Sequence, residues 1–331
     1  MTSRRTLLLA ATAVATLAAL PASAQQELNF GIISTESQAT SKPNWTPFLA
    51  DMEKATGAKI NAFFAPDYAG IIEAMRFNKV QIAWYGNASA IQAVDRAQGE
   101  VFVQSTYRTG DRGYHSVLHM HKDSPINNLQ DVIAASGKLT FGNGDPNSTS
   151  GFLIPSYYAW AQNNIDVRKH FTRVVSGNHE ANMLAVASKQ VDIATGNTED
   201  LERFKKSQPE RFAQLKVIWQ SPLIPFDPIV WRSDLPEPMK QKVKAFFLDY
   251  GHAKAGKSEA DAKREVEVLD KLVWGHFRDS SNKQLIPIRE VGLFRDRLKI
   301  EQDDKMSAEE KASKIKEIDQ KLADLKKQAG V

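Results

Sequence analysis

The chain has 331 residues, with 43 Lys and Arg against 39 Asp and Glu, which gives a net charge of +4. A charge this small over this length gives no reason to expect nucleic acid as a partner, because such proteins show a concentrated basic surface. The sequence has no cysteine, which excludes disulfides, thiolate metal sites, cysteine nucleophiles and a lipid-modified N-terminal cysteine. The length predicts two domains, each large enough to bury a core.

Residues 1–24 have the pattern of a secretory signal peptide. Arg4 and Arg5 precede an apolar run over residues 6–20, and small residues lead up to Ala24. We expect cleavage after Ala24 and export of the mature chain to a bacterial periplasm. The run is short for a bilayer span, which needs about 20 apolar residues, so an uncleaved anchor is disfavoured. The paired arginines also resemble a twin-arginine signal, and the export route stays open.

The first half of the mature chain alternates strand and helix patterns. Short apolar runs predict buried strands, and apolar residues at helical spacing separate them. This alternation predicts a mostly parallel sheet with helices on both faces. The predicted strands are 28–33, 59–64 and 80–84, and the predicted helices are 45–55 and 68–75.

The same alternation returns in the second half. Residues 79–83 and 189–194 each show a lysine followed by a short strand, so one supersecondary unit is used twice. Two similar α/β lobes follow from this, and ligands in such sheets bind beyond the carboxyl ends of the strands. The predicted strands are 138–141, 173–176 and 191–194, and the predicted helices are 151–162 and 181–188.

Two extended segments, 114–120 and 223–231, are predicted to connect the lobes. Two connections make a hinge over a cleft, which is a common arrangement for capturing a ligand. The resulting division assigns 25–118 to lobe 1, 119–228 to lobe 2 and 229–304 to the return into lobe 1.

The C-terminal segment, 305–331, is predicted to be a charged helix. Ser307 and Glu310 form a capping box at its start. A narrow apolar stripe then follows at helical spacing: Ile315, Ile318, Leu322 and Leu325. The stripe allows two interpretations, a helix packed on its own domain or a contact that makes a homodimer.

The loop after the strand at 138–141 carries the most informative pattern. Gly142, Gly144 and Gly151 surround three consecutive hydroxyl residues, Ser148, Thr149 and Ser150, which we call the hydroxyl cluster. Free N–H groups at a helix start attract anions, and hydroxyls add neutral donors. The pattern therefore predicts a site for a tetrahedral oxyanion, although it does not choose among phosphate, sulfate and phosphonate. A capped helix without a ligand is the alternative.

Two acidic residues are expected near the cleft. Glu199 follows the strand at 191–194. Asp227 lies in the second connection, with Phe226 before it and Pro228 after it. Two carboxylates opposite an anion site suit a zwitterion with a cationic end. The alternative explanation is that these acidic residues are solvent-exposed in loops or cap a helix, without a role in binding.

Two other classes of function receive less support. His115, His119 and His121 would share one face of a strand and could bind a metal ion, but no carboxylate accompanies them at matching positions. The hydrolase motifs G-x-S-x-G and H-E-x-x-H are missing from the sequence. An exported phosphomonoesterase with Ser148 or Ser150 as nucleophile remains as an alternative. No cofactor and no metal are expected.

Several long segments carry a resemblance to a known family. The chain resembles the phosphonate-binding proteins of bacterial ABC importers, the PhnD-type family, over nearly all of its mature length. The motifs are NFGIISTES at 29–37, APDYAGII at 65–72, AWYGN at 83–87, GNGDPNSTSGF at 142–152, and SPLIP with DPIVW within 221–231.

The resemblance implies an α/β protein with the type II periplasmic binding fold, in which two lobes close on a ligand. It implies a receptor without enzymatic activity that captures organophosphonates, with 2-aminoethylphosphonate as the expected ligand, and delivers them to an ABC permease in the inner membrane. Phosphite, phosphate or simple alkylphosphonates are the alternative ligands.

The resemblance also assigns roles to individual residues. The hydroxyl cluster would hold the phosphonate group together with Tyr68 and Tyr114. Glu199 and Asp227 would meet a ligand ammonium, with His179 close by. His115 departs from the family pattern, in which we expect an aromatic residue, and this raises the question of its effect on ligand preference.

Overall fold

The computed structural model describes residues 26–111 and 113–330, so the predicted signal peptide and its cleavage site lie outside the described residues. The strands are β1 Glu27–Ile32, β2 Lys59–Phe64, β3 Ile82–Trp84, β4 Gly99–Gln104, β5 Gly113–Tyr114, β6 Ser116–His121, β7 Thr140–Asn143, β8 Arg173–Ser176, β9 Ile193–Asn197, β10 Leu215–Gln220, β11 Ile224–Pro225, β12 Pro228–Arg232 and β13 Arg278–Asp279.

Helices follow most of the strands. The α-helices are α1 Gln38–Thr56, α2 Tyr68–Arg76, α3 Asn87–Arg96, α4 Leu129–Ala134, α5 Val167–His170, α6 His179–Ala187, α7 Thr198–Ser207, α8 Pro209–Phe212, α9 Glu237–Asp249, α10 Glu259–Lys271, α11 Ile286–Glu301 and α12 Ala308–Ala329. Two π-helical turns, Thr149–Leu153 and Ser156–Trp160, and 3₁₀ turns at Ala161–Asn163 and Asn282–Leu285 complete the secondary structure.

The sheet of lobe 1 has the strand order β13-β4-β12-β3-β1-β2. β1 pairs in parallel with β2 and with β3, as the strand and helix alternation predicts. β12 lies between β3 and β4 and is antiparallel to both. This strand enters the sheet from the other lobe, which is why its direction is opposite.

The sheet of lobe 2 has the order β10-β6-β9-β7-β8. β7 is parallel to β8 and β9, whereas β6 is antiparallel to β9 and β10. Each sheet thus contains one strand that arrives from the other lobe and runs against its neighbours. The prediction of a mostly parallel sheet holds for the strand and helix repeats but not for these two strands or for β13, which is antiparallel to β4.

The two connections are paired with each other. β5 and β11 form a separate two-stranded ribbon between the main sheets, with Ile224 opposite Tyr114 and Pro225 opposite Gly113. The expected hinge of two extended segments is confirmed. The lobe boundary predicted at residue 118 falls inside β6, all of which pairs within the sheet of lobe 2.

Aromatic residues fill the core of lobe 1. Trp45 of α1 packs on Trp84 of β3 and on Trp274, with ring centroids 5.5 and 5.2 Å apart. α1 begins at Gln38, earlier than the predicted start at residue 45, because Ser37 caps it. Burying these large rings fixes α1 against the carboxyl ends of the strands, where the cleft lies.

The C-terminal helix α12 packs on its own chain. Ile318, Leu322 and Leu325 of the predicted stripe are buried, and α12 lies against α11. The first interpretation of the stripe is therefore correct, and the stripe is not available for the predicted homodimer. None of the helices in 26–111 and 113–330 combines the length and apolar character needed to cross a membrane.

Candidate functional site

A small cavity lies between the lobes. All of the residues predicted to bind a ligand line it: Tyr68, Tyr114, Ser148, Thr149, Ser150, His179, Glu199 and Asp227. The remaining lining residues are Ile33, Thr35, Trp84, Gly86, Asn197, Asp200 and Arg203. Residues from both sheets and from the hinge thus meet at one point in the cleft.

The loop between β7 and the first π-helical turn holds the hydroxyl cluster in place. The N–H of Gly144 donates to the carbonyl of Gly151 at 3.0 Å, which closes the loop on itself. A Cβ at residue 144 would lie 2.4 Å from that carbonyl oxygen, so only glycine permits this approach. The Ser148 hydroxyl then accepts from the Gly151 N–H at 3.0 Å and caps the helix.

Each hydroxyl of the cluster accepts a hydrogen bond from the protein. Thr149 Oγ1 accepts from the Ala88 N–H at 2.8 Å, and Ser150 Oγ accepts from Asn197 Nδ2 at 3.0 Å. A hydroxyl has one donor besides its acceptor sites. Because each of these bonds uses only an acceptor site, each hydroxyl keeps its O–H as a donor for a group in the cavity. The cluster is therefore arranged as a set of neutral donors for an anion.

His179 and Tyr68 lie beside the hydroxyl cluster. His179 Nε2 is 3.4 Å from Ser148 Oγ and 3.7 Å from Asp200 Oδ2, so it lies between the hydroxyl cluster and the acidic residues. Burial lowers the pKa of His179 although Asp200 opposes the effect, so the neutral imidazole is favoured. Burial raises the pKa of Tyr68 well above 10.0, which keeps its phenol protonated and able to donate.

Asp227 and Tyr114 form the opposite side of the cavity. The Tyr114 hydroxyl donates to Asp227 Oδ1 at 3.0 Å. Burial, followed by the charge of Glu199, raises the pKa of the Asp227 carboxyl well above 3.8. Arg203, the arginine that lines the cavity, forms its ion pairs with Glu36, Glu199 and Asp200 rather than with Asp227. Asp227 is therefore a buried acid whose ionised form would lack an ion-pair partner among the described residues.

Glu199 differs from Asp227 because it already has a cationic partner. Its Oε1 accepts from Arg203 Nη1 at 3.1 Å and from Trp274 Nε1 at 2.8 Å. Burial raises the pKa of Glu199, and Arg203 opposes the shift. Since Trp274 belongs to the core of lobe 1 and Glu199 to lobe 2, this carboxylate also joins the lobes.

Arg203 and Asp200 line the cavity but were not predicted. Arg203 donates to Asp200 Oδ1 through Nη2 at 2.6 Å and through Nε at 3.1 Å. Burial alone would raise the pKa of Asp200, but Arg203 and His179 outweigh it and lower the pKa. The spacing of Glu199, Asp200 and Arg203 on α7 is the signal that identifies them, because residues three and four apart share a helix face.

The three histidines considered for a metal do not come together as a site. His119 is fully buried, and burial lowers its pKa to about 4. Within 26–111 and 113–330 no group of His, Asp and Glu is arranged to hold a metal ion. His115 does not line the cavity, and its Nδ1 lies 2.8 Å from the Ser221 carbonyl. This departure from the family pattern therefore lies at the connections between the lobes and outside the cavity wall.

Comparisons with known proteins agree with this geometry. The family model of the periplasmic substrate-binding protein of phosphonate ABC transporters matches residues 30–285. The phosphonates-binding periplasmic protein of Escherichia coli K12 is 56% identical over 308 residues, covering 92% of this chain and 88% of that protein. The phosphate-import protein PhnD of Mycolicibacterium smegmatis is 28% identical over 268 residues, covering 76% and 80%.

A solved structure supports the same assignment. The binding protein of an ABC phosphonate transporter from Pseudomonas aeruginosa has a TM-score of 0.88 and 51% identity, covering 93% of this chain and 99% of that chain. These relatives are substrate-binding proteins of transporters and not enzymes, so the phosphatase alternative is wrong. The type II fold and the family predicted from the motifs are confirmed. The chain belongs to the family of periplasmic substrate-binding proteins of phosphonate ABC transporters.

Proposed function

We propose that this protein captures 2-aminoethylphosphonate in the periplasm and delivers it to the permease of its transporter. The proposal concerns the identity of the ligand and the residues that hold it. It assigns the phosphonate group to the hydroxyl cluster with Tyr68, Tyr114 and His179, and the ammonium group to Asp227 and Glu199.

Three buried hydroxyls that line the cavity support the assignment of the phosphonate group. Ser148, Thr149 and Ser150 are at most 2% exposed, and their oxygens already accept from protein N–H groups. Their O–H groups and the first turn of the helix offer donors to the three oxygens of a phosphonate. Lys and Arg are not needed here, because charge-assisted hydrogen bonds from neutral donors satisfy the anion.

The ammonium side rests on a single observation, the charge balance of the buried acids. Arg203 compensates Asp200 directly and shares its charge with Glu199. Among residues 26–111 and 113–330, the Asp227 carboxylate accepts only from the Tyr114 hydroxyl, and its pKa is strongly raised. A buried carboxylate without a cation is costly. A ligand ammonium placed between Asp227 and Glu199 would remove that cost, and this favours an aminophosphonate.

A receptor for phosphate, phosphite or a simple alkylphosphonate is the alternative. Each of these ligands would use the hydroxyl cluster equally well. None brings a positive charge, so Asp227 would stay uncompensated or become protonated on closure. The relative named as a phosphate-import protein, at 28% identity, shows why ligand identity has to be tested directly.

Isothermal titration calorimetry of the wild-type protein against a matched ligand series tests the proposal. 2-Aminoethylphosphonate and ethylphosphonate differ by the amino group, and phosphate and phosphite complete the series. We expect the aminophosphonate to bind tightest by at least about tenfold, the factor that corresponds to about 1.4 kcal/mol. Equal or weaker binding of the aminophosphonate would contradict the ligand assignment.

A further inference from the structure

Glu180 joins the lobes without contacting the ligand cavity. It lies at the start of α6 in lobe 2, is 7% exposed, and is not among the residues that line the cavity. Its Oε2 accepts from the Ser37 N–H of lobe 1 at 2.7 Å, and its Oε1 accepts from the Thr40 hydroxyl at 2.8 Å. A carboxylate from one lobe therefore bonds the first turn of a helix in the other.

The partners of Glu180 belong to an incomplete capping box. In a complete box, the N-cap Ser accepts from the N–H of the third helical residue, and a Glu or Gln at that position accepts from the Ser N–H. Ser37 Oγ accepts from the Thr40 N–H at 3.2 Å, which makes the first half. Thr40 occupies the position of the Glu and cannot reach back as an acid would. Glu180 supplies the missing half from the opposite lobe.

Two neighbouring helices of lobe 1, α2 and α3, also donate backbone hydrogen bonds from their first turns to side chains of lobe 2. The Tyr68 N–H at the start of α2 donates to Asp145 Oδ2 at 3.2 Å. The Ala88 N–H in the first turn of α3 donates to Thr149 Oγ1 at 2.8 Å. Three successive helix starts that carry partial positive charge thus meet acceptors from the other lobe, and these bonds require the lobes to be together.

We infer that Glu180 is a latch that stabilises the closed form and sets affinity for every ligand by the same factor. When the lobes separate, the Ser37 N–H and the Thr40 hydroxyl lose their acceptor, so the bonds contribute to closure alone. Because a ligand gains affinity in proportion to the closed population, loss of the latch weakens binding. The inference rests on ligand capture between the lobes but not on which phosphonate is captured.

The test compares Glu180→Gln and Glu180→Ala with wild type. Affinities for 2-aminoethylphosphonate and ethylphosphonate should both fall by about tenfold to a hundredfold, the range for a lost charge-assisted hydrogen bond. Their ratio should stay constant and ligand dissociation should accelerate. Glu210→Gln, an exposed acid of α8 in lobe 2, serves as the control and should change neither affinity.

A second variant separates latching from helix capping. Thr40→Glu on the Glu180→Gln background completes the capping box within lobe 1, so it should raise the unfolding temperature of the ligand-free protein without restoring affinity. Restored affinity would overturn the latch, because capping alone would then explain the effect. Glu180→Gln should lower the unfolding temperature of the ligand-bound protein more than that of the ligand-free protein. Equal decreases in the two temperatures would also overturn the latch. Unequal losses for the two ligands would place Glu180 in ligand recognition instead.

Discussion

Asp227 accepts a hydrogen bond from the Tyr114 hydroxyl at 3.0 Å, and this bond joins the two connections between the lobes inside the cleft. Tyr114 lies in β5, and Asp227 directly precedes β12. The same connections pair through Tyr114 and Ile224. The acidic side of the cavity is therefore built on the two connections between the lobes.

We expect that removing a hydroxyl of the cluster lowers the affinity for all phosphonates by the same factor. Ser148→Ala and Ser150→Ala each remove a donor to the anion, and each should weaken 2-aminoethylphosphonate and ethylphosphonate alike by about 1.5–3 kcal/mol. Calorimetric affinities measure this. Ser156→Ala, in the same helical segment but outside the cavity lining, is the control and should bind normally. Normal binding by both cluster variants would place the anion elsewhere.

Asp227 predicts a difference in proton uptake between two ligands. Burial raises the pKa of the Asp227 carboxyl, so closure around ethylphosphonate, which has no cation, should draw a proton onto it near neutral pH. An ammonium favours the ionised carboxylate, so 2-aminoethylphosphonate should cause no such uptake. Calorimetry in buffers of different ionisation enthalpy counts the protons.

The Asp227→Asn variant is the control for this measurement, because it cannot titrate at that position. The extra uptake with ethylphosphonate should disappear in the variant, and the two ligands should then behave alike. Identical proton counts for wild type and variant with both ligands would show that Asp227 does not change its charge on binding.

Because of Glu36, we expect the free energy of unfolding to fall as the pH rises. Burial, opposed by Arg203 at 4.0 Å, raises the pKa of the Glu36 carboxyl from 4.5 to about 7. In that window the folded protein keeps a proton that the unfolded chain releases, so the free energy of unfolding falls as pH rises, by up to about 3 kcal/mol. Glu36→Gln should remove this part of the pH dependence.

Urea unfolding of wild type and Glu36→Gln at several pH values between about 4.5 and 8 makes the measurement. Glu267→Gln, which changes an exposed acid of α10, is the control and should keep the wild-type profile. An unchanged slope in Glu36→Gln would mean that this carboxyl is ionised throughout the range.

The buried stripe of α12 predicts a stability effect rather than an effect on assembly. Leu322→Ala should lower the free energy of unfolding by about 2 kcal/mol, because it removes buried apolar contact with the rest of the chain. Ligand affinity and the molar mass from light scattering should not change. Lys314→Ala, an exposed position of the same helix, is the control. A change in molar mass with Leu322→Ala would restore the dimer interpretation.

Much of the fold could be predicted because local patterns report it directly. Apolar runs between turn residues gave the bounds of β2 Lys59–Phe64 and β8 Arg173–Ser176 without error. All the predicted ligand residues lie in one cavity, because each follows the carboxyl end of a strand or lies in a connection, and those positions converge in a two-lobed fold.

Features that depend on contacts between distant segments could not be predicted. Arg203 of α7 is 8% exposed because lobe 1 covers it, and a charged side chain gives no local signal of such burial. The antiparallel direction of β6 and β12 follows from the connections and leaves no mark in composition. The bond from Glu180 to Ser37 spans 143 positions of sequence, and only an incomplete capping box hints at it.

Affinity ratios measure whether Asp227 selects an aminophosphonate by compensating its ammonium group. Calorimetry should give the affinities of 2-aminoethylphosphonate and ethylphosphonate for wild type, Asp227→Asn and Glu199→Gln. Removing one partner of a buried charge pair costs about 2–5 kcal/mol, so Asp227→Asn should lower the preference for the aminophosphonate by at least about thirtyfold. Glu199→Gln should lower it less, because Arg203 and Trp274 already engage that carboxylate. Equal losses for both ligands in Asp227→Asn would contradict the account and leave Asp227 as a structural residue of the hinge.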